Sequence, residues 1–284
     1  KLIIETRHER PRWGAQKIQS YLDRRGYPMP CVRTVNNILK RNGLISQEAS
    51  LARKSFKHFE RDQNNELWQA DFKGDLLMGN GERCFPLTIL DDHSRYAILI
   101  EPKPDKRDVQ SSFIRIFRDF GLPESILTDN GASFAGLKGG YTRFERMLMD
   151  QDILPIHGRI YHPQTQGKIE RFHRSLKNEV LYLRDIQNIE EAEQAFKKWQ
   201  QIYNFERPHA ALGNKCPADI YSISPRQFRD TVPAFDYSTE YRVYRINNWG
   251  FLRFADHQVF ISETFRDTHI QMIPMESEDS VLVC

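Results

Sequence analysis

This 284-residue sequence has no long apolar run and no closely spaced cysteines. Its apolar runs, such as Tyr96–Ile100, are too short to span a bilayer, and we expect neither a membrane segment nor a leader peptide. The cysteines are widely separated and form no CxxC pair, which argues against a disulfide framework or a cysteine-rich zinc site. They are Cys31, Cys84, Cys216 and Cys284. We therefore expect a cytoplasmic protein with reduced thiols, and the absence of Met at Lys1 leaves room for a longer parent reading frame.

Positive charge is concentrated at the start of the chain. Residues 1–60 carry 13 Lys and Arg against 5 Asp and Glu, whereas the whole chain has a net charge of only +3. Residues 61–284 therefore have a net charge of −5. A basic terminal region indicates a polyanionic partner such as a nucleic acid, and a solvated basic arm is the alternative.

Two helices are predicted in this basic region, at residues 11–22 and 32–41, with Gly26, Pro28 and Pro30 between them. The apolar positions of the second helix, which we expect to face inward, are Val32, Val35, Ile38 and Leu39. Its outer face carries residue types that read base edges and phosphates in a major groove. These residues are Arg33, Asn36, Asn37, Lys40 and Arg41. We predict a helix-turn-helix DNA-binding module, with a plain helical hairpin as the alternative.

The segment that follows the second helix is polar and has no clear apolar period. Its cations are Arg53, Lys54 and Lys57. This composition predicts a basic linker at residues 46–65 that lies along a DNA backbone.

From residue 67 the apolar pattern changes to that of short strands. The predicted strands are 67–73 with its continuation at 76–78, 84–90, 96–100, 125–128 and 153–156, with helices at 109–120, at 144–149 and around Glu170. Gly-Asn-Gly at 79–81 is a strong hairpin turn signal. Hairpin-linked strands followed by alternating helices and strands predict an α/β protein with a ribonuclease-H-like core, which has a mixed five-stranded sheet and helices.

Three acidic residues lie where such a core places its chemistry. Asp71 is on the first strand and Asp129 follows the fourth, so the two carboxylates would be neighbours across the sheet. Glu170 is on the last helix, in a polar stripe with Arg174 and Lys177. Two Mg²⁺ ions roughly 3.5 to 4 Å apart stabilise the charge that develops in phosphodiester cleavage, and carboxylates suit Mg²⁺. An ordinary ion pair between Glu170 and Arg174 is the alternative.

Other titratable side chains compete for the metal role. Asp75, Asp91 and Asp92 are weaker candidates, and we expect Asp92 to cap a turn or to pair with Arg95. Three histidines are near the acids in sequence or in the predicted fold: His157, His162 and His173. They lack a matching cysteine or HExxH spacing, which favours surface or groove histidines over a zinc site.

Several ordered motifs resemble those of the DDE transposases of bacterial insertion sequences, in the retroviral-integrase superfamily. The motifs are WQADF at 68–72, LDDHSRY at 90–96, LTDNGASF at 127–134 and HPQTQGKIERFHRSLK at 162–177. A further segment, YNFERPHAALGNKCPADIY at 203–221, is similar to the one that closes this core in those transposases. The resemblance covers about residues 65–221, and the N-terminal helices resemble the end-binding helix-turn-helix of the same family.

The resemblance implies that Asp71, Asp129 and Glu170 form the catalytic triad and bind two Mg²⁺ or Mn²⁺ ions, which Asp71 bridges. It also implies that basic residues of the Glu170 helix contact DNA beside the scissile phosphate. We assign this role to Lys168, Arg171, Arg174 and Lys177. The interval between Asp129 and Glu170 is longer than the usual family pattern, and Gly-Leu-Lys-Gly-Gly at 136–140 predicts an inserted loop.

Five domains or segments are predicted along the chain. They are a helix-turn-helix module at 1–45, a basic linker at 46–65, a ribonuclease-H-like catalytic core at 66–185, a helical extension at 186–230 and a small β-barrel at 231–284. In the extension we expect an exposed turn at Arg207, Pro208 and His209. The prediction of a barrel is based on the alternating short strands from residue 241. We expect this barrel to support DNA, and a role in multimerisation alone is the alternative. Its candidate DNA contacts are Tyr244, Arg245, Trp249 and Arg253.

The predicted function is that of a DNA transposase or integrase. It would bind element-end DNA, cleave the 3′ end and transfer the strand into target DNA, as a homo-multimer, dimer or tetramer, at the bacterial nucleoid. One alternative is a ribonuclease-H-type nuclease, although such sites usually gather a fourth acid, and the first core helix offers only Asp108 and Asp119. Another alternative is an inactive DNA-binding repressor derived from a transposase, against which the three intact acids argue.

Overall fold

The computed structural model describes most of the chain and divides it into two compact units. The described residues are 1–45, 61–136, 140–158, 167–182, 185–232, 236–254, 257–274 and 281–283. One unit comprises Lys1–Lys106 with Gly158–Ser224, and the other comprises Arg107–His157 with Pro225–Cys284. The predictions for Arg53, Lys54, Lys57 and His162, and the centre of the predicted inserted loop, lie outside the described residues. Within these ranges, no helix has the length and apolar content needed to cross a membrane.

The first unit begins with three helices, α1 (Leu2–Glu9), α2 (Ala15–Arg24) and α3 (Val32–Arg41). Helices α2 and α3 are confirmed, and their apolar residues form a small core around Trp13, Ile18 and Leu39. The sequence pattern missed α1, because its apolar residues follow one another instead of recurring at helical spacing, and only Thr6 is buried. The inward placement of Val32 was wrong, since this first residue of α3 is 40% exposed. The assignment of a helix-turn-helix remains a prediction.

An antiparallel sheet follows, with β1 (Leu67–Phe72), β2 (Leu76–Leu77), β3 (Arg83–Asp91) and β4 (Ala97–Lys103). Strand β3 pairs with all three of the others. The predicted hairpin is present, and Gly81 supplies the positive φ of 84° that its turn requires. The register that matters for the site pairs Asp71 of β1 with Thr88 of β3.

Two helices complete the core of this unit. Helix α6 (Gly167–Leu176) continues into a π-helical turn at Lys177–Leu181, and α7 (Ile189–Gln201) continues into another at Ile202–Glu206. Their apolar faces pack with β-strand residues in one cluster that contains Phe172, Leu176, Phe196, Trp199 and Tyr203. This packing holds α6 in place over the sheet.

The second unit contains α4 (Gln110–Phe120), β5 (Ser125–Thr128), α5 (Arg143–Asp150) and β6 (Leu154–His157). Strands β5 and β6 are parallel, with Thr128 opposite His157. A capping box begins α5, in which Thr142 and Glu145 satisfy each other's backbone N–H groups. The first unit contributes antiparallel strands, and the second contributes a parallel pair with helices between the strands. These are the elements of a mixed ribonuclease-H-like sheet, as predicted.

The end of the second unit consists of short strands. They are β7 (Val243–Arg245), β8 (Phe251–Phe254), β9 (His257–Phe260), β10 (His269–Pro274) and β11 (Val281–Val283). Strand β10 pairs with β7 and β11, and β8 pairs with β9, around a small core with Ile246, Leu252 and Ile270. The strands agree with the alternating sequence pattern, while the barrel remains a prediction.

Candidate functional site

Asp71 is the one partly exposed residue of an otherwise buried strand. Its five neighbours in β1 are buried, and its own side chain is 22% exposed. A carboxylate on such a strand has a fixed backbone and an accessible head group. This placement suits a ligand that has to stay in register while it meets a substrate.

His173 of α6 lies against this carboxylate. Its Nε2 is 2.7 Å from the hydroxyl of Thr88, and that hydroxyl donates to the backbone carbonyl of Asp71 over 2.9 Å. The other ring nitrogen, Nδ1, is 3.7 Å from Asp71 Oδ2. Burial, and secondarily the nearby Lys73 ammonium, lower the pKa of His173 to about 3, so the ring is neutral at neutral pH.

Helix α6 is fastened to β1 and to the loop after β3 by buried polar contacts. The backbone N–H of Ile169 donates to Gln69 Oε1 over 3.3 Å, and Gln69 in turn donates to Asp92 Oδ1 over 2.7 Å. Lys168 donates to the Asp92 carbonyl over 3.0 Å and pairs with its carboxylate. The Lys168 ammonium therefore stabilises the attachment of α6, whereas its predicted role was DNA contact.

The competing acids have structural partners. The Asp92 carboxylate contacts Lys168 and Gln69, and Arg95 donates to the Asp92 backbone carbonyl, so the expected contact between Asp92 and Arg95 is made through the Asp92 backbone. The carboxylate of Asp91 accepts from the backbone and hydroxyl of Ser94 and from the backbone N–H of Asn65, and its burial raises its pKa. Asp75 pairs with Arg83. These contacts account for all three acids without a metal.

Glu170 lies in the first turn of α6 with its side chain exposed. Among the described residues no ion pair joins it to Arg174, which disfavours the simple i,i+4 interpretation. Arg171, Arg174 and Lys177 are exposed on the same helix and the turn that follows. Glu170 is therefore an accessible carboxylate among accessible cations.

Asp129 follows β5 in the second unit. Its Oδ1 accepts from the backbone N–H of Gly131 over 3.0 Å, and a Cβ at position 131 would lie only 2.9 Å from that oxygen. Behind it, the hydroxyl of Thr128 is 3.2 Å from His157 Nδ1, and His157 Nε2 is 2.8 Å from Glu145 Oε1. Glu145 is buried and also accepts from the backbone of Thr142. The strand end that carries Asp129 is thus held by a buried polar network.

The predicted triad is divided between the two units, with Asp71 and Glu170 in one and Asp129 in the other. Within the ranges described, no group of three or more His, Cys, Asp or Glu side chains is arranged as a metal site. Sequence reasoning also missed the contacts of His173 with Thr88 and of His157 with Glu145. The position of His173 one turn after Glu170 was the available signal, whereas its partner Thr88 depends on the register of β1 and β3.

The N-terminal helices use several of their cations inside the first unit. Arg24 donates to both carboxylate oxygens of Asp219, over 2.6 and 2.9 Å, and Arg10 donates to Glu206 over 2.9 Å. On α3, by contrast, the predicted DNA contacts are solvent-facing. Arg33, Asn37, Lys40 and Arg41 are exposed, and Asn36 is half-buried. The basic face of α3 therefore remains accessible.

The expected exposed turn at Arg207, Pro208 and His209 was wrong. Arg207 is 7% exposed and Pro208 is buried. The Arg207 guanidinium donates to Glu179 over 2.9 Å and to Ser175 of α6 over 3.1 Å. Burial, and then the charge of Arg207, lower the pKa of His209 to about 2. This segment packs against the core through the buried ion pair between Arg207 and Glu179. The polar sequence of the segment alone does not predict that Arg207 is buried.

Comparison with models of protein families identifies the family of this chain. Two models described as integrase core domain match residues 61–163 and 151–217, which together span more than half of the chain. The chain belongs to the integrase-core family. Its membership confirms the resemblance that the motifs around Asp71, Asp129 and Glu170 carry.

Relatives of this integrase-core chain occur in insertion sequences. It is 28% identical over 246 residues to an uncharacterized 31.7 kDa protein of insertion element IS407 from Burkholderia multivorans, covering 82% of this chain and 83% of that protein. It is 24% identical over 198 residues to a putative transposase of insertion sequence element IS5376 from Geobacillus stearothermophilus, covering 66% of this chain and 47% of that protein.

A solved structure of the simian T-cell lymphotropic virus intasome, in complex with the PP2A regulatory subunit B56 gamma, is also similar. That match has 16% identity and a TM-score of 0.49, and it covers 93% of this chain and 91% of that chain. The catalytic core domain of HTLV-2 integrase in complex with magnesium matches with 20% identity and a TM-score of 0.45. It covers 57% of this chain and 99% of that one.

Proposed function

We propose that this chain is a metal-dependent DNA transposase that binds the ends of its element, cleaves the 3′ ends and joins them to target DNA. The observation that carries the proposal is the placement of Asp71, an accessible carboxylate on a buried strand, beneath the helix that presents Glu170. The third acid that we assign to the site is Asp129, which follows β5 within the region that matches the integrase core domain.

The chemistry of the donor set fits a hard divalent cation. Asp71, Asp129 and Glu170 offer carboxylate oxygens, which Mg²⁺ and Mn²⁺ accept, and all three side chains are at least partly exposed. We assign two ions to the site, held by these three residues. When bound, they would stabilise negative charge on the attacking and leaving oxygens of the phosphodiester.

The protein itself contributes positioning. Asp71 is fixed by the pairing of β1 with β3, and Glu170 is fixed by the contacts of α6 with Gln69 and Asp92. The exposed cations Arg171, Arg174 and Lys177 would bind DNA phosphates next to the carboxylates, because they follow Glu170 along one helix. Alignment of the attacking group with the phosphorus depends on this rigid arrangement.

End recognition is assigned to α3. Its exposed Arg33, Asn37, Lys40 and Arg41, with Asn36, would contact base edges and phosphates. We further propose that the chain acts as a homo-multimer, dimer or tetramer, at the nucleoid. The five segments predicted from the sequence remain our proposed domain boundaries.

The test is a joining assay with labelled DNA from the inverted repeats that flank the gene. Asp71→Asn, Asp129→Asn and Glu170→Gln should each reduce Mg²⁺-dependent joining to background. Each variant should bind the same DNA within about twofold of the wild type, because the phosphate contacts remain. Asp75→Asn is the matched control, since Asp75 lies between β1 and β2 and pairs with Arg83, and this variant should join normally. Joining by all three amide variants would contradict the proposal.

A further inference from the structure

A serine that follows β9 binds both backbone polar groups of Tyr141, just before α5 in the same unit. Ser262 Oγ accepts from the Tyr141 N–H over 3.0 Å and donates to the Tyr141 carbonyl over 2.9 Å. It also accepts from the Thr264 N–H over 3.2 Å, which uses its second lone pair. Ser262 is only 2% exposed, so groups that lost these bonds would stay buried without a partner. The main chain at Tyr141 is therefore held by the C-terminal strands.

Further contacts reinforce this attachment. The Thr264 hydroxyl donates to the same Tyr141 carbonyl over 2.6 Å, so both lone pairs of that oxygen are used. The Tyr141 ring meets Phe265 edge-on, with 5.9 Å between the ring centroids. Arg146 of α5 lies over Phe265 and donates to the Thr264 carbonyl over 2.6 Å. Because several of these bonds go to main-chain groups, they specify the path of the backbone at position 141.

The position of Tyr141 is linked to that of Gly136. The backbone N–H of Thr142 and that of Gly136 both donate to Glu145 Oε2, over 2.6 and 3.2 Å. Gly136 also lies directly against Gly140, since a Cβ at position 136 would overlap the Gly140 carbonyl oxygen. Glycine is required for such a close approach of two backbones. Gly136 therefore keeps its place only while Gly140 and Tyr141 keep theirs.

Hydrogen bonds continue from here to Asp129, through the segment of residues 129–136, which we call the Asp129 segment. The Thr142 hydroxyl donates to the Phe134 carbonyl over 3.3 Å. The Phe134 N–H donates to the Gly131 carbonyl over 2.9 Å, and the Gly131 N–H donates to Asp129 Oδ1 over 3.0 Å. The carboxylate of Asp129 is thus bound by a segment that is itself bound to the start of α5.

We propose that Ser262 and Thr264 are positioning residues for the Asp129 carboxylate in the joining reaction. The proposal rests on the metal-dependent function assigned above, in which Asp129 is one of three ligands. Strand β5 fixes the backbone before Asp129, and the Asp129 segment fixes the backbone after it. By holding Tyr141, the two hydroxyls restrict the motion of that segment and so keep the carboxylate in the geometry that the reaction requires.

The first test measures backbone hydrogen exchange of the metal-free full chain in peptides that cover residues 129–136. Exchange there should be about tenfold faster in Ser262→Ala, because the variant removes three buried hydrogen bonds that oppose local opening. Thr264→Val should have a smaller effect in the same direction, since it removes one bond and keeps the shape of the side chain. Thr264→Ser retains the hydroxyl and should exchange like the wild type.

Thr268→Val is the matched control. Thr268 also donates its hydroxyl to a backbone carbonyl over 2.6 Å, but that carbonyl belongs to Phe265, within the C-terminal strands. Thr268→Val therefore removes the same kind of bond from the same region without touching Tyr141. Exchange in residues 129–136 should stay at the wild-type rate.

The second test measures joining of pre-cleaved end DNA with Mg²⁺, with rates expressed per chain that binds the DNA. This normalisation prevents a smaller folded fraction from imitating a slower reaction. Ser262→Ala should lower kcat about tenfold and leave KM within about twofold, because the change affects the geometry of the site and leaves DNA binding intact. Thr264→Val should lower kcat less, while Thr264→Ser and Thr268→Val should join like the wild type.

The outcomes separate this inference from the proposed function. Unchanged exchange in both Ser262→Ala and Thr264→Val would overturn the inference, as would faster exchange with unchanged kcat. An equal loss of kcat in Thr268→Val would also overturn it, because the effect would then belong to the C-terminal strands in general. No joining by the wild type would overturn the proposed function, whereas faster exchange in the two variants would still show that their hydroxyls hold the Asp129 segment.

Discussion

Two threonine–histidine pairs stand behind two of the predicted metal ligands, and they differ in what the second ring nitrogen meets. Thr88 binds His173 through Nε2, and Nδ1 faces the carboxylate of Asp71. Thr128 binds His157 through Nδ1, and Nε2 faces the buried carboxylate of Glu145. Identical residue types therefore contact a predicted metal ligand in the first unit and a buried glutamate of the scaffold in the second. The two threonine–histidine pairs therefore differ in the carboxylate that the second ring nitrogen faces, which is Asp71 in one and Glu145 in the other.

The largest expected effect is on the scaffold. Glu145→Ala removes the acceptor for His157 and for the backbone N–H groups of Gly136 and Thr142, all in partly buried positions. We expect the free energy of unfolding of the second unit to fall by about 3 kcal/mol. Urea denaturation, followed by a probe in that unit, measures it. Thr142→Ala is the control and should cost about 1 kcal/mol, since it removes the helix cap and a long hydrogen bond to the Phe134 carbonyl but leaves the Glu145 acceptor in place. Equal losses in the two variants would mean that the His157 contact contributes nothing.

A smaller difference should separate the two threonines. Thr88→Val loses two hydrogen bonds, one to the Asp71 carbonyl and one from His173, whereas Thr128→Val loses the single contact with His157. At about 1 kcal/mol for each bond, we expect losses of about 2 and about 1 kcal/mol in urea denaturation. A larger loss for Thr128→Val would show that the network in the second unit depends on that hydroxyl more than its 3.2 Å contact indicates.

The last expected effect, about 1 kcal/mol for each pH unit, is the pH dependence that His173 contributes. Its folded pKa is about 3, while the unfolded chain takes up the proton near the ordinary value of 6.5. Between these values the unfolded state binds more protons, so the free energy of unfolding falls as pH falls. The contribution is full above about pH 6.5 and decreases by roughly 1 kcal/mol per pH unit below it. Denaturation curves at pH 7, 6 and 5 give the free energy of unfolding at each pH. This free energy should depend less on pH in His173→Gln than in the wild type. An unchanged dependence would show that His173 has a similar pKa in the folded and the unfolded protein.

Most of the fold could be predicted from local sequence patterns. The strands, α2, α3 and the core helices occur where apolar spacing and turn residues indicate them, because both signals act over a few neighbouring residues. The Gly-Asn-Gly turn in 79–81 is a clear case. Helix α1 was missed, since its stability comes from packing in the helical module and its own pattern is not amphipathic.

The candidate site was less predictable, because its polar contacts join residues far apart in the chain. The charge of residues 1–60 indicated a nucleic-acid partner, yet Arg10 and Arg24 pair with Glu206 and Asp219, nearly 200 residues away. Lys168 was assigned to DNA by its position beside Glu170, yet its ammonium binds Asp92. The spacing of residues in a helix predicts which face of the helix a side chain lies on. The residue that the side chain contacts depends on which other element packs against that face.

The sequence by itself determined the family, the order of strands and helices, and the three acids at positions typical of metal-dependent phosphoryl chemistry. Periodicity and turn residues are local, and the motifs are contiguous, so they can be read without coordinates. Only the tertiary structure decided that His173 faces Asp71 through Nδ1 and that Arg207 is buried against Glu179. The physical reason is that hydrogen-bond direction depends on the register of β1 with β3 and on the docking of α6, neither of which is encoded in any short stretch of sequence.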